Sequence, residues 1–122
     1  MLSVRIDETN LVAVLQPEGP LSKSDFESAA KMIDPVIEKS GHLNGVIIRT
    51  KSFPGWDSFA ALVSHLRFVK KHHEKVSRVA LVTDSSLGKF AEPIASHFVK
   101  AEIRLFPFKE FDQASRWAAG HN

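Results

Sequence analysis

The sequence predicts one α/β domain built on a mainly parallel β-sheet. At 122 residues, the chain is near the commonest size of a single domain. Its 43% hydrophobic and 25% charged residues are ordinary values for a globular protein. Short apolar runs also alternate with segments of helical periodicity, which favours parallel strands joined by right-handed crossovers. We therefore expect residues 1–122 to form one domain with a five-stranded mixed sheet and about four helices.

The N-terminal segment has the pattern of a β-hairpin. Leu2, Val4 and Ile6 alternate with polar residues, which predicts an edge strand with one polar face. A turn at residues 8–10 leads into the run from Leu11 to Leu15, which is apolar throughout and therefore belongs inside the sheet. Because a hairpin connection is too short for a crossover, we expect the first strand to pair antiparallel.

The next segments carry helical periodicity. A first helix is predicted from a cap near Ser22 to about Ser40, with a bend at Pro35 and a stop at Gly41. A second helix is predicted over residues 56–73. The residues expected to be almost fully buried in the core are Phe26, Ile33, Ile47, Phe59, Leu66, Leu81 and Ile94.

The remaining elements alternate in the same way. We predict strands at 45–48, 77–83 and 102–106, a helix around 90–98 and a closing helix at 110–119. With the hairpin, this gives the order β-β-α-β-α-β-α-β-α. The opening strand is then the one antiparallel member of an otherwise parallel sheet.

The composition excludes several classes of function. The chain has no Cys, which removes disulfides and thiolate chemistry and fits a reducing compartment. A net charge of +2 is a mild bias, so no nucleic-acid partner is expected. The N-terminal ten residues lack the apolar core of a signal peptide, and no uncharged run is long enough to span a bilayer. We expect a cytoplasmic protein whose contact with a membrane, if any, is peripheral.

Catalytic and metal sites have little support. Asp57 and Asp84 follow predicted strands, but a Ser-His-Asp hydrolase would also need a G-x-S-x-G turn, which is absent from the sequence. His65, His72 and His73 lack the i, i+4 spacing that metals prefer. No glycine-rich phosphate loop occurs. The prediction is a non-enzyme without catalytic residues, cofactor or metal.

Three segments carry a family resemblance. They are Phe53–Trp56, Val79–Asp84 and Ala101–Phe106. Together with the element order, they resemble the SpoIIAA-like family, which is related to STAS domains and shares a fold superfamily with the lipid-binding CRAL-TRIO domains. The resemblance covers essentially the whole chain and implies a SpoIIAA/STAS-like fold. Because it includes STAS antagonists of anti-sigma factors, the resemblance also implies a bacterial protein.

STAS antagonists of anti-sigma factors carry a phosphorylatable Ser in an Asp-Ser-Ser-Gly type motif after the third strand. The similar run Asp84–Gly88 lies one strand-helix unit too late. The loop at the matching place instead carries Ser52 and Ser58, which the resemblance implies as weak candidates for phosphorylation.

The aromatic residues suggest a binding surface. Phe106, Phe108 and Phe111 exceed what one strand end needs to bury, so we predict an apolar pocket or a hinged aromatic cover. The predicted ligand-binding residues are Phe53, Trp56, Phe90, Phe98, Phe108, Phe111 and Trp117. Phe68, with His65 and His72, lies opposite the core face of the second helix and is the predicted docking surface for a partner.

Two functions therefore remain open. The first is a module that binds a hydrophobic small molecule or lipid, or touches a membrane surface. The alternative is a STAS-type regulatory protein-interaction domain, of the kind that antagonises anti-sigma factors. The sequence leaves the oligomeric state open, with a homodimer as one alternative.

Overall fold

A computed structural model describes residues 2–18, 23–50, 76–84 and 102–120. The chain enters the sheet through a hairpin and ends in a short helix. The elements in chain order are β1 (Leu2–Asp7), β2 (Val12–Pro17), α1 (Lys23–Ser40), β3 (Leu43–Arg49), β4 (Val76–Val82), β5 (Glu102–Phe106), a 3₁₀ turn (Phe108–Glu110) and α2 (Phe111–Ala118).

The strands of the described residues form one five-stranded sheet in the order β1-β2-β3-β4-β5. β1 pairs antiparallel with β2, and all the other neighbours pair parallel. This confirms the predicted mixed sheet with an antiparallel edge strand. Two of the predicted helices correspond to α1 and α2. The other two, at 56–73 and around 90–98, lie outside the described residues.

α1 covers one face of the sheet. It ends where predicted, since Gly41 has φ +83° and donates its N–H to the carbonyl of Ile37. Its apolar stripe of Ile33, Val36 and Ile37 packs against β2, β3 and β4. The helix continues through Pro35, and the bend predicted there stays a prediction. Alternate residues of β1 also turn toward this face, which gives the edge strand its one apolar side.

α2 covers part of the opposite face. Ala114, Trp117 and Ala118 pack against a second cluster that includes Ile47, Ala80 and Phe106. The two clusters use alternate residues of the same strands, so the interior strands are apolar on both sides. Of the predicted core, Ile33, Ile47 and Leu81 are confirmed as buried. The side chain of Phe26 and residues 59, 66 and 94 lie outside the described part.

A close approach of backbones fixes α2 on the sheet. A Cβ placed on Gly45 of β3 would lie 2.5 Å from the carbonyl oxygen of Ala118 and 2.6 Å from its Cβ. Only glycine fits there, because backbone atoms cannot withdraw as a flexible side chain can. At the other end of α2, Phe111 lies beside Arg49 at the end of β3. α2 therefore runs antiparallel to β3.

Truncating the core tests the sheet's two-sided burial. Ile47→Ala and Leu81→Ala should each lower the free energy of unfolding by about 2–5 kcal/mol, because each leaves a cavity in a packed interior. Met32→Ala is the matched control, since Met32 neighbours Ile33 on α1 but is 46% exposed and should change stability little. Denaturant unfolding measures all three. Losses at Ile47 and Leu81 as small as that at Met32 would contradict this packing.

The contact at Gly45 gives a second test. Gly45→Ala should cost about 1–3 kcal/mol of unfolding free energy, because the added methyl must push α2 away from β3. Gly41→Asn is the control at a glycine with open space around it. It should cost little, because Asn tolerates the left-handed backbone of a helix C-terminus. Equal stability losses in the two variants, measured by denaturant unfolding, would rule out the close approach.

Candidate functional site

A groove of about 710 Å³ opens between α2 and the β1–β2 hairpin. We call it the α2 groove. It lies beside α2, which packs over β3 and β4. Its floor is apolar and comes from Val12 and Val14 of β2, and its wall is formed by Phe111, Ser115 and Ala119 along α2. The site is thus a groove with an apolar floor, bordered by a helix.

The rim of the α2 groove is charged with both signs. Arg5 of β1 and Arg116 of α2 supply the cationic groups, while Asp7 and Glu8 at the hairpin turn supply carboxylates. Arg5 and Asp7 belong to the polar side of β1, the alternation that the sequence predicts. The polar face of this edge strand therefore contributes to the site rather than facing bulk solvent alone.

The hairpin turn at one end of the groove is held by Asp7. Its carboxylate accepts hydrogen bonds from the backbone N–H of Thr9 at 3.0 Å, the backbone N–H of Asn10 at 3.1 Å and the Asn10 side-chain amide at 2.8 Å. The side-chain hydrogen bond from Asn10 is the main cause that lowers the pKa of Asp7 below its ordinary value, and the backbone donors add to it. Asn44 ties the turn to β3 by donating its side-chain amide to the Asn10 carbonyl at 2.9 Å.

Arg49 lies between two aromatic rings at the carboxyl end of β3. Its guanidinium carbon is 4.8 Å from the centroid of the Phe108 ring and 4.4 Å from that of the Phe111 ring. Its Nε is buried and has no hydrogen-bond acceptor among the residues that the structure describes. Because Phe111 also lines the α2 groove, the arginine and the groove share one aromatic wall. Ligands of open α/β sheets commonly bind at this carboxyl edge.

Backbone bonds order the rest of this edge. The N–H of Thr50 donates to the carbonyl of Val82 at 3.1 Å, and the N–H of Thr83 donates to the carbonyl of Phe106 at 3.0 Å. Asp84 accepts a hydrogen bond from the backbone N–H of Phe108 at 3.1 Å. The Asp84 carboxylate thus holds the start of the 3₁₀ turn.

A family model for SpoIIAA-like proteins matches residues 12–119, nearly the whole chain. The chain belongs to the SpoIIAA-like family. This family is STAS-related, and STAS-related domains are in general non-enzymatic regulatory or interaction modules. The resemblance inferred from the sequence is therefore confirmed. No curated protein and no solved structure matches the chain significantly.

Three of the predicted ligand-binding aromatics of this SpoIIAA-like domain are described, and their surroundings differ from one another. Phe108 and Phe111 are half-buried at the carboxyl edge. Trp117 is buried with its ring centroid 5.8 Å from that of Phe106, and Arg78 stacks on it while donating to its carbonyl at 2.7 Å. Trp117 thus belongs to the packed core beneath α2, whereas Phe111 reaches the groove. The assignment of ligand binding to these residues stays a prediction.

The other predicted site residues lie outside the described part of the chain. They are the aromatics Phe53, Trp56, Phe90 and Phe98, the docking residues His65, Phe68 and His72, the phosphorylation candidates Ser52 and Ser58, and Asp57. Their roles also stay predictions.

Arg49 is the functional candidate that the sequence reasoning missed. The signal was a single arginine directly after the apolar run Val46–Ile48, where a buried strand reaches the carboxyl edge of the sheet. Its aromatic neighbours come from the segment after β5, on the far side of β4. Periodicity along the chain carries no information about such a contact.

The described ranges contain neither a metal-ligand cluster nor a membrane-spanning helix. Among these residues, no three His, Asp or Glu side chains are grouped to hold a metal ion. No helix among them is long and apolar enough to cross a bilayer.

The pKa of Asp7 gives a test of the groove's hairpin end. A carboxylate with a lowered folded pKa stabilises the protein above about pH 4 and loses that contribution as pH falls through the folded pKa. NMR titration of the Asp7 carboxyl carbon should give a pKa below that of Asp in an unfolded peptide. In Asn10→Ala, which removes the main donor, the pKa should move back up. An Asp7 pKa that is unchanged by this substitution would contradict the turn geometry.

Proposed function

We propose that this SpoIIAA-like domain is a non-enzymatic binding module that takes a hydrophobic small molecule or an acyl chain into the α2 groove. The observation that carries the proposal is the groove itself, whose volume of about 710 Å³ lies in the range of small-molecule sites. Its apolar floor suits a hydrocarbon, and its charged rim suits a polar end group. The cytoplasmic location and the peripheral contact with a membrane expected from the sequence are parts of this proposal.

The wall formed by α2 supports it further. α2 has only eight residues, and the 3₁₀ turn before it contains no buried residue. Ala114, Trp117 and Ala118 hold the helix to the sheet, while its groove side is less buried. Segments with few buried contacts open at low free energy, so the 3₁₀ turn can move to admit a ligand while α2 stays against β3. We propose that this turn is the hinged aromatic cover expected from the sequence.

Hydrogen exchange tests this function. Adding dodecanoate should slow amide exchange over residues 107–119, because binding stabilises the closed form by an amount that reaches about 2.7 kcal/mol at a ligand concentration one hundred times Kd. Ser115→Trp should abolish the slowing by filling the groove. Gln113→Trp is the matched control, since Gln113 is exposed on the same helix away from the groove lining. It should respond like the wild type.

Two results would count against the groove. No change in exchange with any amphiphile is one. An equal response of the Ser115 and Gln113 variants is the other, because the ligand would then bind elsewhere. The sequence also predicts that a bound amphiphile slows amide exchange over residues 85–100. That segment lies outside the described residues, so this is a separate expectation.

The family supports a second function, a STAS-type regulatory protein-interaction domain. The match over residues 12–119 favours it, because STAS-related domains act through protein contacts. The docking surface around Phe68 and phosphorylation at Ser52 or Ser58 belong to this alternative. Native mass spectrometry of protein purified from its own cells separates the two. A retained acyl-sized mass favours the groove, whereas a clean apo mass with a co-purifying protein favours the interaction domain.

A further inference from the structure

The arginines on the α2 face of the sheet differ in how their guanidinium groups are satisfied. Arg78 donates to the carbonyl of Trp117 at 2.7 Å and lies 3.4 Å from a carboxylate oxygen of Glu102. The guanidinium of Arg49 stacks on the rings of Phe108 and Phe111, and within the described part of the chain its buried Nε has no hydrogen-bond acceptor. An aromatic face attracts the charge but offers Nε no lone pair in the plane of the guanidinium.

A buried donor without an acceptor costs free energy, and an oxyanion at Arg49 would remove that cost. Carboxylate and phosphate groups fit because their paired oxygens match the fork of N–H donors on a guanidinium. The two rings also fix the guanidinium in place, so less side-chain freedom is lost when an anion binds. The surroundings of Arg49 therefore favour an anion over a neutral group.

Access to Arg49 depends on Phe108. This residue is half-buried and belongs to the 3₁₀ turn that contains no buried residue, and the Asp84 carboxylate accepts its backbone N–H. A turn held in this way can shift its ring without disrupting the core. Withdrawal of the Phe108 ring would uncover the part of the guanidinium that it contacts, and the contact with Phe111 would remain.

Arg49 is also close to the α2 groove. Val14 of the groove floor pairs in register with Ile47, and Arg49 is two residues farther along the same side of β3. Two strand residues span about 6–7 Å, so Arg49 is within reach of the groove although it does not itself line it. Phe111 borders both the groove and the guanidinium. A chain lying on Val14 can therefore place its end group at Arg49.

We propose that Arg49 is the anion-binding group of the α2 groove, so that the ligand is an anionic amphiphile with its carboxylate or phosphate at Arg49 and its chain on Val12 and Val14. The inference rests on the proposed function and names the ligand class of the same site. Phe108 acts as the displaceable cover of the guanidinium.

The test compares ligands that differ in the end group, using dodecanoate and dodecanol. Arg49→Gln should weaken dodecanoate binding about tenfold or more, the size of one lost charge-assisted hydrogen bond, and leave dodecanol binding nearly unchanged. Arg104→Gln is the matched control, because Arg104 is exposed on the same face and stacks on a ring, that of Phe106, beyond the groove. It should bind both ligands like the wild type.

A measurement on the wild-type protein keeps the proposal testable if Arg49→Gln does not fold. The NMR signal of the Arg49 Nε–H should move downfield when dodecanoate is added and stay in place with dodecanol. Inorganic phosphate is the probe for a free anion without a chain. A shift with phosphate alone also supports Arg49 as an anion site and shows that the chain is not required.

The outcomes distinguish failure of the anion site from failure of the proposed ligand binding in the α2 groove. In one outcome, both ligands bind the wild type, Arg49→Gln weakens the binding of both equally or of neither, and the Nε–H signal does not move. This outcome would overturn the anion site and leave the groove supported. Failure of both ligands to bind, with no effect of phosphate on the signal, would overturn the groove and the anion site together.

Discussion

The approach of α2 to β3 at Gly45 is the constraint on which this side of the protein depends. With no Cβ on Gly45, the end of α2 can rest against the strand, and Trp117 can fill the space over Ala80 and Phe106. The helix is thereby fixed above β3 and β4. α2 has only eight residues, and its groove side faces the β1–β2 hairpin. The groove follows from where the helix is fixed.

The residues of the β1–β2 hairpin divide between the buried core and the groove. β2 is buried on both faces, with Val12 at 4% and Val14 at 6% exposure in the same cluster as Trp117. On the groove side, β1 offers polar residues, while Phe111 and Ala119 of the α2 wall are half-buried apolar residues. An occupant of the groove gains free energy from the part of these two side chains that it removes from water. This gain is the physical basis of the proposed ligand.

The sequence predicts most of the sheet because local patterns determine it. An apolar run such as Val12–Leu15 must be interior, and the strand bounds at 102–106 agree with the structure. The site was less accessible to such reasoning. Phe111 and Trp117 lie on one short helix and look alike in sequence, yet one reaches the groove and the other is core. Their difference depends on where Gly45 lets the helix rest, which is a contact between distant segments.

Arg49 shows how a cost in stability can indicate function. A protein selected only for stability would give a guanidinium at this place a carboxylate, as Arg78 has in Glu102, or replace it by an apolar residue that stacks equally well. Instead, the guanidinium stacks on Phe108 of the 3₁₀ turn and Phe111 of α2, and its buried Nε has no acceptor among the described residues. A buried donor of this kind calls for an explanation, and an anion outside the chain supplies one. The proposed anion site accounts for this edge of the sheet as one half of a binding contact.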